Sequence, residues 1–73
     1  MRKFIFEHLI EDGEEKIFDS EKEAIKYALT MHSKYKGTIV VVESEISAQQ
    51  LIEYQTHNVP IPCTAYRREI WRS

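Results

Sequence analysis

From Lys3 to Ile10 the side chains alternate, with Phe4, Phe6, His8 and Ile10 on one side and Lys3, Ile5, Glu7 and Leu9 on the other. A period of two predicts a first strand over 3–10. Glu11-Asp12-Gly13 follows and Lys16-Ile17-Phe18 is apolar again, so a hairpin is expected, with Gly13 supplying the positive φ of a tight turn. Two registers compete. A two-residue Asp12-Gly13 turn sets Glu11 against Glu14; a three-residue loop with Gly13 in a bulge sets Phe6 against Phe18. The second is favoured because it avoids facing carboxylates and gains an aromatic cross-strand pair.

Ser20-Glu21-Lys22-Glu23 has the form of a capping box, in which the Ser20 hydroxyl accepts from the Glu23 N–H and the Glu23 side chain reaches back to Ser20. Ala24, Ile25, Ala28, Leu29, Met31, His32 and Tyr35 then recur at three-and-four spacing. Both features predict a helix over 20–36, stopped by Gly37, with acids at its start and Lys34 and Lys36 at its end complementing the dipole. Thr38 to Glu43 is β-branched and apolar on both faces, the mark of an interior strand covered on both sides. Ser47-Ala48-Gln49-Gln50 is a second capping box, with Ile46 placed to staple onto Leu51. A short helix over 47–57 follows, expected to bury Ala48, Leu51, Ile52 and Gln55 and to end at Asn58. Val59-Pro60-Ile61-Pro62 lacks two backbone donors and reads as an extended connector or an edge. Residues 63–71 give a last strand, with Thr64, Tyr66, Arg68 and Ile70 on one face and Cys63, Ala65, Arg67, Glu69 and Trp71 on the other.

The order β-β-α-β-α-β predicts a small α+β domain with a three- to four-stranded, mostly antiparallel sheet. The third strand is expected beside the first and antiparallel to it, while the place of the last stays open. At 73 residues, 42% apolar and 30% charged, the chain suits one folded domain over residues 1–73. One cysteine excludes an internal disulfide, and a core this small benefits from a partner surface. Glu7 and His8 interrupt the N-terminal apolar stretch before a signal core forms, and no run approaches the roughly 20 apolar residues of a membrane helix. A cytoplasmic location is the expectation.

No motif fixes a chemistry. His8, His32 and His57 show no ligand spacing, and Cys63 follows Pro62 at a strand start with no base or helix N-terminus beside it. Neither a metal, a cofactor nor a catalytic group is expected, and His32 reads as a partly buried, hydrogen-bonded residue. Glu11, Asp12, Glu14, Glu15, Asp19, Glu21 and Glu23 surround the hairpin tip and the first helical turn, as a solvated turn or an anionic patch for a basic partner. Arg and aromatic side chains dominate binding hot spots. The partner-binding candidates are therefore Tyr66, Arg67, Arg68, Ile70, Trp71 and Arg72.

Ile5 and Leu9, one face of the third strand, and either Ile70 or Trp71 look like more apolar sheet surface than two short helices can cover. That surplus suggests a non-catalytic protein-binding module, a small regulator or inhibitor of a larger bacterial or phage-related assembly, taking another protein or a second copy as a homodimer. The alternative is a nucleic-acid binder using Lys34, Lys36, Arg67, Arg68 and Arg72 with Tyr66 and Trp71. A net charge of −2 places it second.

Overall fold

The described residues form four strands and two helices in the order β1 (Arg2–His8), β2 (Glu15–Phe18), α1 (Glu21–His32), β3 (Ile39–Glu45), α2 (Ala48–His57) and β4 (Arg67–Arg72). The computed structural model describes residues 1–59 and 67–73. All strand pairs are antiparallel and the sheet runs β2-β1-β3-β4, so the α+β expectation holds and β4 takes the edge beside β3. The connector 60–62 and the expected strand residues 63–66, Cys63 and Tyr66 among them, lie outside the described residues.

Alternation along β1 divides the core in two. Phe6 meets Ile39 and Val41 of β3 beneath Ala24 and Ala28 of α1, with Phe4, Phe18, Tyr27 and Met31 around them. On the opposite face Ile5, Val40, Val42 and Ile46 pack together, and Ile17 of β2 with Leu51 and Tyr54 of α2 close over them. Each face thus has its own helix. Ile5, Val40, Val42 and Ile46 are buried on this face and Ile70 and Trp71 pack on the other, which overturns the expected surplus of uncovered sheet except at Leu9, which is 49% exposed beyond the end of β1. Tyr54 supplies what the sequence reading lacked: its ring caps the second cluster and its hydroxyl donates to the Glu15 carbonyl at 2.6 Å.

Ser20 caps α1 by accepting from the Glu23 N–H at 3.2 Å, the first half of the expected box. The helix ends at His32, earlier than Gly37; Lys34 and Tyr35 instead bond back to the Met31 carbonyl, and Gly37 takes φ 95° in the connection to β3. Its buried stripe is narrower than expected. Ala24 and Ala28 face the sheet with Tyr27 and Met31 beside them, leaving Ile25 half-buried on the flank and Leu29 57% exposed. In α2 both halves of the capping box form, Ile46 packs with Leu51, and Asn58 closes the helix at φ 54°. Leu51 and Tyr54 are the residues that meet the sheet; Ala48, Ile52 and Gln55 are exposed, correcting the expectation that they are buried.

The hairpin differs from both registers weighed. Phe4 faces Phe18 and Phe6 faces Lys16, a shift of two residues from the favoured register that preserves every side chain's face. Its cause is an early end to β1. Leu9 donates to the Thr38 carbonyl while His8 donates to the Glu14 carbonyl, so six residues, 9–14, form the loop. Positive φ falls on Asp12 (58°), not Gly13. Gly13 is needed for another reason: a Cβ there would lie 1.9 Å from the His8 carbonyl oxygen.

Candidate functional site

β4 is held by five Cα pairings to β3, with a register break between Val41 and Val42. Val41 faces Trp71 and Val42 faces Glu69, so Ile70 is the extra residue of a bulge. The alternation expected along this strand therefore fails. Ile70 and Trp71 both pack against the α1-side cluster, and the indole meets the His32 ring edge-on with centroids 6.3 Å apart. His32 itself is exposed, contrary to expectation.

The arginines of β4 do not form a free basic stripe. Arg68 lies directly opposite Glu43, with Nη2 3.7 Å from its carboxylate; Arg2 approaches the same carboxylate from β1 at 3.9 Å. Glu43 is buried where the apolar run of β3 ends, and two guanidinium groups offset the cost of holding a charge there. Arg72 donates to Glu69 at 2.6 and 3.0 Å, and Arg67 donates to Glu7. Arg68 and Arg72 still offer 63% and 53% of their side-chain surface to solvent. Of the six partner-binding candidates, five are brought onto this one edge strand, and Tyr66 lies outside the described residues.

Behind Arg67, Glu7 and Glu15 face each other across β1 and β2. Burial first, and then the Glu7 carboxylate, raise the Glu15 carboxyl above its ordinary value, with Arg67 acting in the other direction. Lys3 pairs with Asp19 at 2.5 Å. The supposed acidic patch is thus partly dissolved into internal pairs.

Glu14 has the clearest such role. One carboxylate oxygen accepts from the Tyr27 hydroxyl and the other from Tyr35 at 2.9 Å, tying the hairpin loop to α1 and the turn after it. Burial together with this bond pushes the Tyr27 phenol up to about 12, and the bond to Glu14 raises Tyr35. The rings serve the core as well. Tyr27 meets Phe6 edge-on at 4.9 Å, and Tyr35 stacks flat on His8 at 4.5 Å while His8 Nε2 donates to the Lys36 carbonyl at 2.5 Å. Tyr27 falls at helical spacing from Ala24 and Met31, a signal available in the sequence; the carboxylate it meets was not.

No family model, curated protein or solved structure matches this chain. Among the described residues, no group of three His, Cys, Asp or Glu side chains is placed to hold a metal ion, and no helix is long and apolar enough to cross a membrane. The remaining open features are an edge strand with exposed arginines, an apolar flank on α1, and a hairpin loop whose Leu9 and Ile10 are half exposed.

Proposed function

We propose that this chain is a non-catalytic protein-binding module of the cytoplasm, a small regulator or inhibitor of a larger assembly, and that β4 is its docking edge. One observation carries this reading: β4 ends the sheet, and among the described residues no strand pairs with its outer side. An extended segment of a partner can add there by main-chain hydrogen bonds, with Arg68 and Arg72 reading its side chains. Ile70 and Trp71 act from behind by anchoring the strand to the core, so they hold the edge in place rather than touch the partner. The bulge and the arginines also suit an edge that must reject indiscriminate strand pairing while admitting a selected one. Nucleic acid is less well supported as the partner, because each described arginine of β4 already sits against a carboxylate.

A photo-crosslinking residue at Arg68, with a second at exposed Gln49 on α2 as control, tests this in the chain's own cells. A discrete protein adduct from position 68 and none from 49 is expected. Adducts from 49 alone, or adducts to nucleic acid from 68, would overturn the reading.

A further inference from the structure

Two exposed patches of this molecule complement each other. Along the outer flank of α1, Ile25, Leu29 and Thr30 floor an open groove of about 680 Å³, rimmed by Lys22, Lys26 and Glu21. Leu29 is 57% exposed there. Neither Lys22 nor Lys26 has a carboxylate partner among the described residues. At the hairpin loop the pattern has the opposite sign. Leu9 and Ile10 are 49% and 51% exposed, and Glu11 and Asp12 beside them are exposed without a cationic partner among the described residues. The tip is held in shape rather than left to wander, since Leu9 is tied to the Thr38 carbonyl and Gly13 donates to the Ile10 carbonyl.

We infer that the hairpin tip of one copy seats in the α1 groove of another, Leu9 and Ile10 on Ile25 and Leu29, with Glu11 and Asp12 against Lys22 and Lys26. The groove's occupant is a second copy of this chain. Because the two patches are different surfaces, the contact is heterologous and repeats head to tail, giving a ring or an open chain instead of a closed two-fold dimer. Each joint is a small apolar contact rimmed by exposed ion pairs, so association is weak and falls with added salt. The surface lies apart from β4, so the joint does not depend on the edge-strand reading.

Sedimentation velocity across a concentration series tests this through a charge exchange. One variant carries Lys22→Glu with Lys26→Glu, making its groove acidic. The other carries Glu11→Lys with Asp12→Asn, the asparagine chosen because residue 12 sits at φ 58°, which Asn tolerates. The unaltered chain should grow beyond a dimer as concentration rises and lose this as salt rises. Each variant alone should sediment as a monomer, and an equimolar mixture should regain association, since acidic tips then meet basic grooves and basic tips meet acidic ones. Circular dichroism confirms that both variants fold. A strictly monomeric unaltered chain, a species that stops at a salt-insensitive dimer, or a mixture of folded variants that stays monomeric would each overturn the proposal.

Discussion

Replacing Ile5 by Val probes whether the second face of the sheet is closed from within. Ile5 is fully buried between β1, β3 and α2, so the substitution removes one methyl group from a packed site with no route to solvent. Such a deletion costs about 0.5–1.5 kcal/mol. At roughly 0.05–0.15 kcal/mol per residue, a chain of this length holds about 4–11 kcal/mol in all. The loss is therefore readable without unfolding the protein, as a fall in Tm of about 4–8 °C per kcal/mol. Ile52→Val on the solvent side of α2, where Ile52 is 60% exposed, is the matched control and should stay within about 0.5 kcal/mol. Urea unfolding followed by circular dichroism, at several dilute concentrations in moderate salt, gives both numbers. A face sealed by α2 makes the Ile5→Val cost independent of concentration; a face sealed by a second copy would make stability fall on dilution. A neutral Ile5→Val, or a cost that tracks dilution, would refute the internal closure.

Breaking the Glu14 clamp should be costly in proportion to its bonds. Tyr27→Phe removes a hydrogen bond to a charged group and should lose about 1.5–3 kcal/mol in urea unfolding, whereas no loss would mean the clamp is only a surface contact. The folded Tyr27 phenol lies above its ordinary 10, so the stability tied to its protonated form is complete below pH 10 and is lost as pH rises toward about 12. Alkaline titration of tyrosinate absorbance should find this late step; Glu14→Gln should move it part of the way down and no further, because burial, the larger cause, is left in place. For Glu15 the raised folded value means the penalty is absent below its ordinary 4.5 and develops as pH rises. Glu15→Gln should accordingly raise Tm at neutral pH, with a gain that shrinks in acid; a gain unchanged by pH would exclude ionisation as its source. Gly13→Ala should destabilise by more than the ordinary glycine-to-alanine entropy gain of about 0.4–1 kcal/mol, since its Cβ meets the His8 carbonyl, and a stabilised variant would contradict that loop geometry.

Much of the fold is legible in the chain because its strongest signals are local. Ser20 and Ser47 mark both helix starts, Asn58 marks one helix end, and the apolar run through Val40 to Val42 identifies the central strand without tertiary knowledge. What escaped needed a neighbour. The hairpin register depends on Leu9 leaving β1 to pair with Thr38, far along the chain, and the bulge at Ile70 depends on where β3 offers its partners. The same distinction governs the candidate site. Arg68 and Trp71 could be named from their types, but only the fold reveals that Arg68 neutralises Glu43 and that Trp71 faces the core. The sequence marks the bounds of α2 and the burial of Leu51 but not the rest of its buried face, because short helices carry too few apolar residues to fix their orientation. Tyr54, with a polar tip and a large apolar ring, decides it.

Amide hydrogen exchange along β4 in the isolated, dilute chain puts the docking-edge reading at most direct risk. An open outer edge predicts alternation, with amides bonded to β3 exchanging slowly and those directed outward exchanging nearly as fast as a solvated backbone. Uniformly slow exchange from Arg67 to Arg72 in a monomer would mean that the edge is already covered, leaving a partner strand nowhere to add.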